Sequence, residues 1–311
     1  MTKNVLFALL FVTRLTRLVA WFNRKKVTIL CYHSVTEQRN AKLDDPHQLH
    51  LPLELFCKHL DYLQRHYRLI SLREYARARR ENIKLPNNVA ILTFDDGARN
   101  FFTVVAPLLL KTKIPATSFI VTGDDFTAEV GAGGSNWRPE DDDSYLSWNE
   151  VRQLTEQGLE FGSHTCTHAT LPDIPVAQAR AELETSRNTL RNYLGSDSYA
   201  LSYPHGRTSE VVNRLSQALG YSCAVTTALG ANDSDADLFA LRRTVIAAQD
   251  DLPTFAARLS GLTTLYSRLA GYFRRNAPQD SEPSLHRHES QVVEERSGAP
   301  IFNALSCSDT E

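Results

Sequence analysis

The chain has 311 residues, of which 42% are hydrophobic and 23% are charged, and its formal net charge at pH 7 is −2. These proportions are typical of a soluble globular protein, and the length suits one large domain or two small ones. The near-neutral charge, with Lys and Arg scattered along the chain, gives no reason to expect a nucleic-acid partner. The five cysteines lack a zinc-type spacing such as CxxC, so we expect reduced side chains packed mainly in the core.

The first predicted element is an amphipathic N-terminal segment, residues 1–26. An apolar run, Val5–Val12, is followed by Arg14, Arg17 and the basic sequence WFNRKK. A membrane-spanning helix needs about 20 apolar residues, so this run is too short, and no signal-peptide cleavage site follows it. The pattern is typical of a basic helix that lies on a membrane surface through residues 5–26. A helix packed on the domain is an equally good interpretation.

Seven short apolar runs predict buried β-strands. In chain order they cover residues 27–32, 89–94, 116–122, 159–162, 199–203, 222–227 and 243–247. Helical patterns lie between several of these runs, over residues 52–66, 176–195 and 208–220. Strands that alternate with helices are typical of a parallel sheet. We therefore predict an α/β fold over residues 27–275, a barrel one strand short of eight.

Two segments show no periodic pattern. Residues 123–147 are rich in Gly and Asp and are predicted to form a long surface loop, with aspartates 141–143 as a solvated face rather than a calcium site. Residues 276–311 are polar, and we expect a disordered tail there. His286 and His288 in that tail have the spacing of metal ligands, but no scaffold holds them, and we assign them no metal.

Titratable side chains follow several predicted strands at the point where each strand ends. His33 follows the first strand, Asp95 and Asp96 follow the second, and His164 follows the fourth. The carboxyl ends of parallel strands in such folds meet at one rim, where active sites lie. The sequence therefore predicts a single site at this rim.

The sequence HTCTH places His164 and His168 four residues apart, a spacing that can bind one metal ion. Alone this spacing is weak evidence, but a pair of aspartates at another strand end strengthens it. Two imidazoles and one carboxylate suit Zn²⁺ and leave positions open for water and substrate. The second carboxylate is then free to act as a base. A capped Asp-Asp-Gly turn without chemistry is the competing interpretation.

Together, the motifs LTFDDG and HTCTH resemble those of the polysaccharide deacetylase family, the NodB homology domain of carbohydrate esterase family 4. The resemblance spans roughly residues 27–250. It implies a distorted (β/α)7 barrel that removes N-acetyl groups from aminosugar polymers with a divalent metal, commonly zinc. It also implies that Asp95 is the general base. The metal ligands it implies are Asp96, His164 and His168.

A third stretch, SYPHG, matches a family motif that usually reads Arg-x-Pro-Tyr/Phe-Gly and supplies a backbone N–H to the oxyanion. The implied donor is His205, and Tyr203 and Pro204 are implied substrate contacts. Ser202 stands where the family has an arginine that tethers the base. Our candidate substitute for that arginine is Arg243, in the sequence ALRRTV, and a surface strand arginine is the alternative.

The family's histidine general acid usually lies in a Leu-x-x-His motif near the C-terminus, and nothing after residue 210 fits that motif. LCYH at the first strand has the required form, which resembles the circularly permuted subgroup that includes poly-N-acetylglucosamine deacetylases. His33 is then the implied acid, and Leu30 is an implied wall of the acetyl-methyl pocket. A core histidine is the alternative for His33.

The sequence thus predicts a metal-dependent hydrolase, most simply a Zn²⁺ enzyme, that removes N-acetyl groups from an aminosugar-containing polysaccharide or oligosaccharide. The alternatives are a deacylase of a lipid-linked aminosugar at the membrane surface, a glycan-binding pseudoenzyme and a membrane scaffold. We expect a monomer that binds an N-acetylated glycan. Because no clear export signal is found, we expect it in the cytoplasm or at the inner face of the cell membrane.

Overall fold

The computed structural model describes residues 3–37, 49–123, 145–195 and 199–266. The predicted tail from residue 276, with His286 and His288, lies outside these residues, as do aspartates 141–143 and Cys307.

Each of the seven predicted runs coincides with or overlaps a strand. The strands are β1 (Val27–Tyr32), β2 (Ser34–Thr36), β3 (His50–Pro52), β4 (Arg68–Leu69), β5 (Val89–Phe94), β6 (Ala116–Ile120), β7 (Glu160–Ser163), β8 (Ala200–Ser202), β9 (Cys223–Val225) and β10 (Thr244–Val245). The strands that sequence reasoning missed, β2, β3 and β4, are two or three residues long, too short to show a period of two.

The main sheet is parallel throughout, in the order β10-β1-β5-β6-β7-β8-β9, with β4 also paired to β5. β2 and β3 form a separate parallel pair. An isolated parallel bridge between Val225 and Leu241 joins β9 to the chain just before β10, so the curled sheet approaches closure. β1 and β5 are buried at every position, as expected for strands covered on both faces. This architecture confirms the predicted α/β barrel.

Helices cover the outside of the sheet. They are α1 (Lys3–Val12), α2 (Leu15–Phe22), α3 (Leu53–His66), α4 (Leu72–Arg80), α5 (Ala106–Thr112), α6 (Trp148–Glu156), α7 (Val176–Leu194), α8 (Glu210–Ala218) and α9 (Leu252–Ser260). The predicted segments 52–66, 176–195 and 208–220 correspond to α3, α7 and α8. α7 ends as its sequence indicates, at Gly195, which has a φ of +70°. α8 begins at Ser209, whose hydroxyl accepts from the Val212 N–H.

The side chains that share one face of β1 and of β5 are apolar early in the strand and polar just after its carboxyl end. Ile29, Ile91 and Phe119 belong to one buried cluster. Since side chains two residues apart share a face, His33 lies on the same face of its chain segment as Ile29, and Asp95 on the same face as Ile91. The polar side chains therefore lie above a packed apolar layer at the carboxyl ends of the strands.

The N-terminal helices pack on the domain. Both α1 and α2 contact α9, and Phe7 and Thr16 are buried. No single helix in the described part of the chain is long and apolar enough to cross a membrane. Val5–Val12 and Leu15–Phe22 reach that length and composition only together, and an 81° bend separates them.

Candidate active site

The rim at the carboxyl ends of the strands holds the predicted side chains. His33 is the first residue after β1, Asp95 and Asp96 are the first two after β5, and His164 is the first after β7. His205 lies in a short turn after β8. Parallel strands end on the same side of the sheet, which brings these residues together although they are up to 172 positions apart in the chain (205 − 33).

The predicted metal ligands converge on one point. Asp96 Oδ1 lies 3.2 Å from His164 Nε2 and 3.5 Å from His168 Nε2. One donor atom from each of the three residues lies within 4.8 Å of the other two. One carboxylate oxygen and two imidazole nitrogens are the donor set of catalytic zinc sites that keep a position open. These residues therefore fit a divalent cation.

The tautomer of His164 favours metal binding. Its Nδ1 lies 2.8 Å from the carbonyl oxygen of Ser202, which can only accept, so Nδ1 carries the hydrogen. In the neutral ring the lone pair is then on Nε2, the atom nearest Asp96, and in the protonated ring the same atom donates to Asp96. Burial lowers the pKa of His164, but the carboxylates of Asp96 and Asp95 raise it overall. The same negative potential favours a metal cation.

The carboxyl group of Asp96 is ionised in this setting. Burial raises the pKa of Asp96, but hydrogen bonds from His164 and His168 hold it well below its usual range. It is therefore ionised, and available as a ligand, at neutral pH.

Backbone strain concentrates at this site. Eight non-glycine residues in the described part of the chain have a positive φ, and four of them lie here. They are Asp96 (φ +74°), Thr165 (+67°), His168 (+60°) and His205 (+57°). Such conformations cost about 1–3 kcal/mol each and persist only where surrounding contacts enforce them.

One of the enforcing contacts comes from Glu182 on α7, a residue that sequence reasoning missed. Its Oε2 accepts from the backbone N–H groups of Cys166 (3.0 Å) and Thr167 (2.8 Å), and its Oε1 accepts from the Thr167 hydroxyl (2.7 Å). Glu182 is buried. These charge-assisted bonds hold the turn between His164 and His168.

Replacing Glu182 with Gln should weaken metal binding about 10–100-fold, the range seen when an outer partner of a metal ligand is lost. The Gln NH₂ group donates and cannot accept, so if the amide oxygen keeps both backbone N–H bonds, the Thr167 hydroxyl loses its acceptor. The negative charge that strengthens the N–H bonds is lost as well. Competition with a chelator dye measures the affinity without reference to activity. Glu184→Gln, on the exposed face of α7, is the matched control. Equal affinity in both variants would contradict a positioning role for Glu182.

The other aspartate of the pair has a different partner. Arg243 donates from Nη1 to Asp95 Oδ1 (2.7 Å) and from Nη2 to Oδ2 (2.6 Å), a bidentate pair in which both side chains are buried. Arg243 Nη2 also donates to Ser202 Oγ (2.9 Å), and Ser202 Oγ donates to Asp95 Oδ2 (3.1 Å). The arginine predicted to replace the one missing at position 202 thus lies against the aspartate and is not on the surface.

This pairing determines the charge state of Asp95. Burial raises the pKa of Asp95, but the guanidinium of Arg243 more than offsets this effect and lowers the pKa from 3.8 to about 2. Asp95 is therefore ionised at neutral pH and is a weak base.

Replacing Arg243 with Met should destabilise the protein at neutral pH by about 3–5 kcal/mol, because a buried carboxylate loses its cation. In the wild type the folded-state pKa of Asp95 is depressed, so the stabilisation is present above about pH 4 and is lost as the pH falls through about 2. In the variant the largest opposing contribution is gone, so burial should raise this pKa and stability should rise as the pH falls from neutral.

Urea unfolding as a function of pH checks this prediction, with the exposed neighbour Arg242→Met as control. Equal stabilities of the Arg243→Met variant and the wild type at pH 7 would contradict it.

His33 lies beside Asp95. A ring nitrogen of His33 and a carboxylate oxygen of Asp95 are within 4.8 Å of each other, and Cys31 Sγ completes this second group of possible donors. The group is a poor metal site because Asp95 already binds Arg243 and because burial raises the pKa of the Cys31 thiol well above its usual range. His33 Nδ1 is buried with no hydrogen-bond partner in the described part of the chain, so no contact there fixes which ring nitrogen carries the hydrogen.

The remaining predicted residues divide into two groups. The ring centroid of His205 lies 4.9 Å from that of His168, at the rim. Leu30 and Tyr203 are fully buried in the hydrophobic core, and the Tyr203 hydroxyl donates to the Phe239 carbonyl oxygen (3.1 Å). Pro204 is also buried. The side chains of Leu30 and Tyr203 therefore contribute to core packing and are not accessible to a substrate in this structure.

Tyr145 is a further residue near the site that sequence reasoning missed. It forms an isolated bridge with Ala98, two residues after Asp96. Burial and then the negative charge of Asp96 raise the pKa of Tyr145, so its hydroxyl is protonated at neutral pH. It was missed because it lies within residues 123–147, the segment without a periodic pattern that was predicted to be a surface loop, and belongs to no motif.

A parallel α/β barrel with paired aspartates and two histidines at its carboxyl rim has the framework of a hydrolase, and comparison with known proteins identifies the class. Residues 82–224 match the model of a family described as polysaccharide deacetylase. YxkH of Bacillus subtilis, described as a candidate polysaccharide deacetylase, is 25% identical over 228 residues, 72% of this chain and 74% of that protein. The poly-β-1,6-N-acetyl-D-glucosamine N-deacetylase of Escherichia coli K12 is 26% identical over 62% of this chain and 33% of its own length.

Solved structures agree with the fold. The deacetylase PplD of Streptococcus pyogenes, solved with acetate, superposes with a TM-score of 0.66 at 23% identity, over 75% of this chain and 98% of that chain. Residues 82–224 of this chain are a polysaccharide deacetylase domain, as the motifs predicted. The class of enzyme, a hydrolase of carbon–nitrogen bonds, is confirmed with it. The matched range contains Asp95, Asp96 and both rim histidines of HTCTH, whereas His33 and Arg243 lie outside it.

Proposed function

We propose that this protein is a metal-dependent hydrolase that removes N-acetyl groups from an aminosugar-containing polysaccharide or oligosaccharide. The observation that carries the proposal is that the two adjacent aspartates have different partners. Asp96 faces two histidines, and Asp95 faces a guanidinium. The name of the Escherichia coli relative supports N-acetylglucosamine polymers as the substrate class.

Asp96, His164 and His168 would hold the metal. A divalent ion bound there, Zn²⁺ for this donor set, would supply polarisation of the amide carbonyl and a water acidic enough for a weak base to deprotonate. Glu182 and the Ser202 carbonyl fix the positions of the two histidines.

Asp95 would accept the proton of the attacking water. Arg243 and Ser202 hold the carboxylate in one orientation and keep it ionised, so no energy is spent on orienting the base during attack. The weak basicity that Arg243 imposes is consistent with proton transfer from an acidified water rather than from bulk water.

His33 would donate a proton to the amine as the carbon–nitrogen bond breaks. Its buried, unpartnered Nδ1 and its position beside Asp95 support this assignment. The backbone N–H of His205 would stabilise the oxyanion, since an amide donor does not depend on the side chain. Acetate and a free amine are the products.

Acetate release from a panel of N-acetylated glycans, including chitooligosaccharides and β-1,6-linked oligomers, tests the proposal. We expect release from at least one glycan, its loss with a chelator, and its recovery when Zn²⁺ is added. Glycan binding without release in the metal-loaded protein would instead indicate a pseudoenzyme and would overturn the proposal.

A lipid-linked aminosugar is the second candidate substrate, and the exposed apolar side chains of α1 and α2 favour it. Parallel assays with a soluble oligosaccharide and a lipid-linked aminosugar distinguish the two candidates. Faster turnover of the soluble oligosaccharide supports the first proposal, and turnover of the lipid-linked substrate alone replaces it with the second.

A further inference from the structure

Exposed large apolar side chains concentrate on one part of the surface. Thirteen such side chains are exposed in the described residues, and nine of them lie on α1, on α2 or at positions 265–266. We call these nine the N-terminal apolar face: Val5, Leu9, Val12, Leu15, Leu18, Trp21, Phe22, Leu265 and Tyr266. Their relative exposures range from 43% to 78%. A concentration of this kind marks an interaction site, whereas single exposed apolar residues need no explanation.

Helical spacing explains how the face forms. Val5, Leu9 and Val12 are four and three residues apart and lie along one side of α1. The other side of α1 packs on the domain. Phe7 on that side is buried, and its ring centroid lies 6.3 Å from that of Tyr266. Both helices therefore have an inner side already in contact with α9 and an outer apolar side facing solvent.

Charge restricts what can cover this face. Residues 1–26 contain six Lys or Arg and no Asp or Glu. Arg14 and Lys25 are exposed, and Arg24 lies over the ring of Trp21 at 4.0 Å. A second copy bound symmetrically through this face would bring like charges together. An anionic surface instead complements them.

The aromatic residues and the bend identify the type of surface. Trp and Tyr favour the boundary between lipid headgroups and acyl chains, and Trp21 and Tyr266 both belong to the face. The 81° bend between the helices, together with the packing on α9, suits helices that lie in the plane of an interface.

We propose that the N-terminal apolar face docks on the surface of a lipid bilayer that contains anionic phospholipid. The apolar side chains enter the headgroup boundary, and the surrounding Arg and Lys contact the headgroups. This proposal does not rest on the deacetylase activity and would hold for any substrate.

Co-sedimentation of the full-length chain with vesicles tests the proposal. One set of vesicles contains phosphatidylcholine alone, and the other contains phosphatidylcholine with phosphatidylglycerol. We expect binding mainly to the second set and weakening at high salt, because screening reduces attraction between surface charges. Leu18→Asp and Phe22→Asp should each reduce partitioning at least tenfold, because each places a charge where a large apolar side chain would be buried.

Val211→Asp is the matched control, since Val211 is as exposed as Leu18, at 53%, but lies on α8. Acetate release from a soluble substrate should be unchanged in all three variants, which separates docking from catalysis. Absence of wild-type binding to either vesicle set, equal binding to both, or equal loss in the control would overturn the proposal. So would a stable dimer that Leu18→Asp dissociates and that binds no vesicles.

Discussion

Asp95→Asn should lower kcat by about 10²–10⁴-fold, the contribution expected of a positioned general base, while the protein keeps its bound metal. An amide has nearly the same shape as a carboxylate but cannot take a proton at neutral pH. Asp96, His164 and His168 are unchanged in this variant, so metal content per chain, measured by elemental analysis, should equal that of the wild type.

The same variant leaves Arg243 as a buried cation without a counter-charge, so a fall in stability is also expected. Metal content and the unfolding midpoint must therefore be measured on the same sample, because an unfolded protein would lose metal as well as activity. Asp61→Asn, an exposed position on α3, is the control for the isosteric change. Normal turnover in Asp95→Asn would show that Asp95 is not the base, and loss of metal from the folded variant would make it a ligand.

His164→Gln is expected to have a different signature, in which metal and activity are lost together. Loss of a direct ligand should weaken metal binding by more than about 100-fold, beyond the cost of losing an outer partner. Since a metal that binds only the folded state stabilises it, added Zn²⁺ should raise the Tm of the wild type but not that of the variant.

His66→Gln, on the outer helix α3, is the control for this experiment and should respond to Zn²⁺ as the wild type does. If the His164→Gln variant retained one metal per chain, the ion would have to bind elsewhere, and the assignment of the three ligands would fail.

In the Asp95–Arg243 pair, the arginine that holds the base comes from a part of the chain other than the SYPHG motif, where the family has it. Ser202 is too short to hold the base by itself, but its hydroxyl bridges Arg243 and Asp95. Arg243 lies directly before β10, 41 positions after Ser202 in the chain. The pairing of β10 with β1 allows this, because it places Thr244 beside Leu30 in the barrel wall.

Local sequence patterns determined much of this protein. Seven apolar runs of strand length appear as strands, because a strand covered on both faces must be apolar throughout. The motifs LTFDDG and HTCTH predicted the three possible metal donors that the structure brings together, because a metal site requires particular residue types at particular spacings. Strand ends predicted the rim, because parallel strands end on one side.

Only the tertiary structure decided which residues contact one another. Glu182 resembles any other helix glutamate in sequence, yet its carboxylate accepts from the backbone of the turn between the two histidines. Leu30 and Tyr203 fit their motif positions but are buried in the core. Arg243 could not be distinguished from a surface arginine until β10 was placed beside β1. The physical reason is that burial and charge pairing depend on residues distant in sequence, whereas periodicity and motif spacing are local properties of the chain.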